Sequence, residues 1–313
     1  MLVFIARRLL SGVILLLVIS IVAFSLLYLD SANIARRILG QNATAELVAQ
    51  KTSELGLDRP LLVQYGDWIT SALTGDFGRS WFNGQLVSVS LSGRLAVSLS
   101  LVIGATLVSA IIAVVLGVLA ARRGGWVDAL VQFISVVGFA IPGFLIALYL
   151  VLIFAINLKL FKATGYIPIT TSFTGWLSSV TLPIIALSIG AIAAVAQQIR
   201  GSVSDALSRD YVRTLRSRGL SSGSVVYKHV LRNAGGPALA VLAVQFVGLL
   251  GGAVIVESIF ALPGMGQLTV SATTQGDIPV VMGVVVAFAV IVIVVNLLID
   301  LAQAALNPKV RLS

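Results

Sequence analysis

The chain contains no cysteine and a single histidine, His229. Without thiols there is no disulfide framework and no thiolate nucleophile, and one imidazole alone does not make a zinc-type site. Charge is scarce too. Asp, Glu, Lys and Arg make up 11% of the 313 residues, where soluble domains carry about 25%. The five lysines are Lys51, Lys159, Lys162, Lys228 and Lys309, and none follows a glycine. The sequence therefore lacks a phosphate-cradling Gly-x-x-x-x-Gly-Lys-Ser/Thr loop. No cofactor is expected to be bound by this chain, and any ATP chemistry must come from another one.

What is present is apolar: 58% of the residues are hydrophobic. A soluble core cannot hide so much apolar surface, but lipid can act as its solvent. A spanning helix needs roughly 20 residues with few or no charges. Such runs predict spans at 9–29, 95–121, 129–158, 179–199, within 233–256, and at 278–299. Pro142 lies inside the third run and predicts a kink there. The stretch 163–178, with Gly165, Pro168, Gly175 and Trp176, reads as loop and interface. Arg7 and Arg8 flank the first run, but the run exceeds the roughly 7–15 residues of a signal-peptide core and no A-x-A-like site follows. An uncleaved first span is expected. The fold class is therefore an all-α integral membrane protein with six transmembrane helices.

Six spans place both termini on one side. With that side cytoplasmic, the inner segments hold 13 basic residues and four acids, and the outer segments eight of each. The whole net charge of +9 then lies inside, as topology signals require. This explains the charge without a nucleic-acid partner. The expected organisation is a first transmembrane helix at 1–29, an outer segment with amphipathic helices at 30–94, and a core at 95–313. That core contains an inner loop at 200–236 and an outer loop at 257–279.

In the outer segment, Leu61, Leu62, Tyr65, Trp68, Ile69 and Leu73 fall at helical spacing. Asp58 is the expected cap, with Pro60 in the first turn and Gly75 past the end. The segment is either a lid on the outer surface or a docking platform. The inner loop predicts two short amphipathic helices around a break at Gly219 to Gly223. Its arginines alternate with Leu215, Leu220, Val225, Val226 and Val230. Such a hinge suits protein docking, with apolar knobs to insert and guanidinium groups to pair with acids, or equally a loop lying on anionic lipid. In the outer loop, Pro263-Gly264-Met-Gly266 marks a tight turn after Glu257, compatible with a re-entrant segment.

These segments resemble, in order, the first (B-type) permease subunit of bacterial ATP-binding-cassette importers for dipeptides, oligopeptides or nickel. The resemblance rests on Leu55-Gly-Leu-Asp-Arg-Pro60, Gly75-Asp-Phe-Gly-Arg-Ser80, Asp210-Tyr-Val-Arg-Thr214, Arg218-Gly-Leu220 and His229-Val-Leu-Arg-Asn-Ala234. It continues through Val256-Glu-Ser-Ile-Phe260, Leu262-Pro-Gly-Met-Gly266 and Leu306-Asn-Pro-Lys-Val-Arg311. It implies a MetI-like permease core in the bacterial inner (plasma) membrane, with both termini cytoplasmic. It further implies an ATPase-coupling loop whose signature positions are Tyr211, Arg213, Thr214, Arg216, Gly219, Leu220 and His229. Leu215 and Ser217 stand where the family has small alanines, and Arg213 stands where the wider transporter motif opens with an acid. Glu257, Pro263, Gly264 and Gly266 would belong to an outer loop or gate, and Gln245 to the pathway. The implied partners are a paralogous permease, two ATP-binding-cassette ATPases that bind ATP and Mg, an extracytoplasmic substrate-binding protein, and membrane lipid. The implied function is import by alternating access, with cargo from dipeptides to nickel chelates.

Two other classes compete. Gly219-Leu-Ser221-Ser-Gly223 fits the nucleophile-elbow pattern of an intramembrane hydrolase. That pattern needs a preceding strand and a nearby base, and His229 lies eight residues on in an arginine-rich loop; no enzyme activity or metal site is expected. A gradient-driven transporter or channel would place charges at mid-membrane, whereas Asp128, Glu257 and Asp300 are expected at span ends. Gln197, Gln198, Gln245 and Asn296 are the polar groups at membrane depth, and Gly248 to Gly252 has the spacing of a close helix contact.

Overall fold

The structure is a computed structural model that describes residues 2–29 and 31–306. The predicted tail motif beyond Leu306 and the acid expected to end the first span, Asp30, lie outside the described residues. The described chain forms α1 (Leu2–Tyr28), α2 (Ser31–Leu39), α3 (Ala45–Glu54), α4 (Leu61–Leu73), α5 (Val87–Arg123), α6 (Gly125–Ala140) and α7 (Gly143–Leu150). A π-helical stretch, Val151–Asn157, extends α7. Then come α8 (Phe173–Leu207), α9 (Asp210–Ser217), α10 (Ser222–Ser224), a second π-helical stretch at Val225–Val230, α11 (Leu231–Ile259), α12 (Met265–Gln275) and α13 (Ile278–Leu306). Among the described residues the only β pairing is an isolated antiparallel bridge between Arg79 and Leu86.

Among the described residues, five helical runs are long and apolar enough to cross a membrane: α1, α5, α8, Ser222–Ile259 and α13. The predicted third span is not one kinked helix. Gly125–Ala140 and Gly143–Asn157 meet at 92°, so the count is five spans, or six if the bent pair is one broken span. Proline explains the break. Its ring disfavours helical backbone in the residue before it, and Ile141 is accordingly extended at φ −89°, ψ 119°. Pro142 then starts α7, where a missing N–H costs nothing.

The helices also run past their apolar centres. At 1.5 Å per residue, the 37 residues of α5 extend about 55 Å, against about 30 Å of hydrocarbon. Arg122 and Arg123 thus sit in the last turn of α5. Asp300, expected at a span end, lies inside α13. Gly175 and Trp176, read as loop, belong to the first turn of α8, because Ser172 caps it by accepting from Gly175 N–H at 3.1 Å.

Two compact units divide the chain. The unit of residues 98–262 and 295–306 is built on α8 and the helices around it. At Gly117 of α5, an added Cβ would lie 2.8 Å from the Ala196 carbonyl oxygen of α8, so here the two backbones nearly touch. Arg200 on α8 pairs bidentately with Asp128 in the first turn of α6, its Nη2 donating to Asp128 Oδ2 at 2.6 Å. Gln132 Nε2 donates to the same oxygen at 3.0 Å.

The unit of residues 2–97 and 263–294 carries the helices predicted for the 30–94 segment. The apolar face of α4 lies on α1: Phe24 meets Tyr65 edge-on at 5.5 Å, with Trp68 beside them. Tyr65 Oη and Ser20 Oγ are 2.8 Å apart. Asp58 does not cap α4; Pro60 holds the cap position, and its carbonyl accepts from Val63 and Gln64. The stretch after Gly264, expected to be loop, forms α12. Its Met265, Leu268 and Ala272 bury against Val87, Val280 and Val284.

Candidate coupling segment and polar sites

The candidate coupling segment begins with α9, eight residues long. Asp210 in its first turn and Arg216 in its last both complement the helix dipole. Arg218 follows as the cap, and Gly219 takes φ +82°. Gly219 N–H donates to Arg216 O at 2.9 Å and Leu220 N–H to Leu215 O at 3.3 Å, which is the paired closure of a Schellman motif. The break is therefore at residues 218–221, slightly shorter than predicted, and Gly223 is already helical.

The apolar knobs point the other way from the sequence expectation. Val212, Val225, Val226 and Val230 are buried with Val195, Ala196, Ile199 and Val203 of α8, and Tyr211, Leu215 and Leu220 pack against that cluster. A short helix with an apolar stripe buries it on the nearest apolar surface, and here that surface is the chain's own α8. What α9 and the cap after it present outward is polar: Arg213, Thr214, Arg216, Ser217, Arg218 and Gly219 are exposed. Arg213 is 82% exposed, with only a loose 3.8 Å pairing to Asp210. Tyr211 Oη accepts from Asn233 Nδ2 at 3.3 Å, tying α9 to α11. His229 is half-buried in the π-helical stretch, and its carbonyl accepts from Asn233 Nδ2 at 3.2 Å.

Ser221 does not sit on a strand-to-helix elbow. Helix α9 precedes it, and its Oγ accepts from Ser224 N–H at 3.4 Å as a helix cap. Among the described residues no group of three His, Cys, Asp or Glu is placed to hold a metal ion.

Glu257 is fully buried in the last turn of α11 and accepts from Ser98 Oγ. Its carbonyl accepts from Leu262 N–H at 2.8 Å, and Phe260 O accepts from Gly165 N–H at 3.0 Å. This predicted gate residue thus anchors the turn at 257–262. In the other unit, Pro263 is exposed, while Gly264 and Gly266 are buried at the start of α12. Gln245 is half-buried in a groove of about 320 Å³ shared with Phe144, Leu187, Gly190, Gly248 and Gly252. The Gly248–Gly252 pair lines this groove. Gln198 bonds Ser202 on its own helix at 3.0 Å.

Asp277 escaped the sequence analysis. It is 3% exposed and accepts from Ser80 Oγ at 2.5 Å and Trp81 N–H at 3.2 Å. It thereby pins the Gly75–Ser80 motif to the start of α13. Burial pushes its carboxyl above the ordinary carboxylate range. The signal was Asp-Ile-Pro before an apolar run, an N-terminal cap with proline in the first turn.

Apolar spanning helices with an arginine-rich helix exposed at the break before one of them define a multi-pass membrane protein. More particularly, the chain belongs to the family described as "Binding-protein-dependent transport system inner membrane component", which matches residues 113–312. The N-terminal family of the same systems matches residues 1–102. The chain is 38% identical over 310 residues to a probable peptide ABC transporter permease protein of Sinorhizobium fredii, covering 99% of each. It is 35% identical over 308 residues to a putative peptide transport system permease protein of Brucella abortus, covering 98% of each. It is 35% identical over 312 residues to a glutathione transport system permease protein of Salmonella typhimurium, covering 99% of each. Its fold resembles a chain of the inward-facing MetNI methionine ABC transporter, with TM-score 0.51, 17% identity, and coverage of 67% of this chain and 94% of that one. The protein is thus an inner-membrane ABC importer permease with a MetI-like fold.

Proposed function

We propose that this chain forms half of the translocation pathway of an ATP-driven importer for short peptides. The observation that carries the reading is the outward face of α9, polar and arginine-rich on a helix whose apolar face is locked to α8. A helix held this way passes a push on its exposed face into a spanning helix, as alternating access requires. Two partner ATPases would bind ATP and Mg and close against Arg213, Thr214 and Arg216; this chain itself catalyses nothing. A paralogous permease would complete the pathway, with Gln245 on its lining. A substrate-binding protein would deliver cargo at the outer side, meeting the 30–94 segment and the 257–279 loop. Both termini and the 200–236 segment would be cytoplasmic, with 1–29 the first span and 95–313 the core. The peptide and glutathione permeases among the relatives support peptides as the cargo class.

The test is purification of the chain from membranes with its associated subunits, followed by ATPase assay with binding protein and peptide. Peptide-stimulated ATP hydrolysis is expected. Arg213→Ala with Arg216→Ala should reduce the stimulation at least about tenfold, on the scale of one lost charged hydrogen bond. A chain that purifies alone and moves peptide in vesicles without ATP overturns the reading in favour of a gradient-driven transporter.

A further inference from the structure

Two apolar grooves open side by side in the unit of residues 98–262 and 295–306, and Tyr227 and Val114 line both. One, of about 490 Å³, runs along Ala110, Ile199, Leu239 and Leu242, with Lys228 and Arg232 in its lining. The other, of about 320 Å³, runs along Val115, Val118 and Leu119, with Arg122 and Arg123 in its lining. Neither lining contains an acidic side chain among the described residues. Tyr227 is 63% exposed, and the Arg122 guanidinium lies 5.8 Å from its ring centroid. Arg232 Nε donates to Leu306 O at 3.3 Å, which fixes one edge of the larger groove.

Each groove thus joins an apolar trough to a pair of cations, and the two adjoin at one amphipathic ring. In a chain surrounded by lipid, an apolar trough is filled by acyl chains, while cations at its mouth select an anionic headgroup. Guanidinium groups match phosphate oxygens geometrically, and tyrosine rings favour the headgroup level. A diacyl lipid with one phosphate would engage one cation pair. We infer that this surface is a binding site for cardiolipin, with one phosphate on Lys228 and Arg232, the other on Arg122 and Arg123, and acyl chains on both sides of Tyr227. Topology signalling alone would need these four cations on one side of the membrane, but not around two adjoining troughs.

The site is tested by native mass spectrometry of the full-length chain with its associated subunits, offered tetraoleoyl cardiolipin, dioleoyl phosphatidylglycerol or dioleoyl phosphatidylcholine. Cardiolipin should be retained best and phosphatidylcholine least. Lys228→Gln with Arg232→Gln should weaken cardiolipin retention roughly thirtyfold, from about a five- to sixfold loss per removed cation near an anionic group. Arg209→Gln, an equal-sign charge removal on an exposed position outside both grooves, should change it little. Ala238→Phe blocks the larger groove with no change of charge and should also release cardiolipin. Equal retention of cardiolipin and phosphatidylcholine overturns the site, as does an Arg209→Gln loss matching that of the double variant. If the double variant fails to fold, undiminished cardiolipin retention by Ala238→Phe overturns it.

Discussion

At Asp277 the Ser80 hydroxyl, the Trp81 N–H and the Val280 N–H converge on one buried carboxyl. Burial raises its folded pKa, so the folded chain holds this proton more tightly than the unfolded chain. Its contribution to stability is fully present below the ordinary value of 3.8 and is lost as pH rises through the raised folded value. Asp277→Asn is permanently neutral. The melting temperature of the unaltered protein should therefore fall relative to this variant as pH climbs from about 4, and a constant difference would count against the linkage. Gly219 poses a backbone question instead. An added Cβ there meets open space, so the penalty of Gly219→Ala comes from φ +82° alone, about 1 kcal/mol. Gly219→Asn should cost less, because asparagine visits the left-handed region more readily. Thermal melts that rank Gly, then Asn, then Ala would support the cap; equal melts would not.

Between elements, contact is set by small side chains and by ion pairs such as Asp128–Arg200. Gly117→Ala should push α5 from α8, since the new Cβ would meet the Ala196 carbonyl and Ile199 at 2.8 Å. A loss of about 1–3 kcal/mol is expected. Gly190→Ala, with nothing within 4 Å, should lose no stability in the same assay. The Asp128–Arg200 pair joins α6 to α8, its side chains 20% and 30% exposed. A double-mutant cycle with Asp128→Asn and Arg200→Gln should show a coupling of about 1 kcal/mol or more. Additive losses would mean that each side chain acts alone. The bend at Ile141–Pro142 belongs to this scale too. Proline at position 142 announces a departure from straight helix, but its angle of 92° depends on what α6 and α7 each pack against.

For the whole molecule, the absence of cysteine makes topology directly readable. Single cysteines placed at two exposed sites, Glu46→Cys and Ser222→Cys, should label from opposite sides with a membrane-impermeant maleimide. In intact spheroplasts, Glu46→Cys is expected to react at once, and Ser222→Cys only after permeabilisation. Labelling of both in intact spheroplasts would remove the assignment of 200–236 to the cytoplasm. The charge balance across the segments depends on that assignment, and so does access of an ATPase to α9.

The sequence alone determined the membrane environment, the helical class and the arginine-rich break before α11. Each is written in composition or local spacing: long apolar runs, basic residues at their ends, and a Gly after an arginine-rich helix. The apolar cores of α1, α5, α8, α11 and α13 were legible for that reason, though their ends were not. Polar residues continue a helix once its centre is formed, because each added residue gains a backbone hydrogen bond. Only the tertiary structure decided the direction of Leu215, Leu220 and the valines, which turn onto α8. Periodicity marks an apolar face without naming the surface that covers it. The same limit hid Asp277, whose partners Ser80 and Trp81 lie nearly two hundred residues away in the chain. It also hid the twin grooves around Tyr227, because residues from α5, α8 and α11 meet there only after the helices pack.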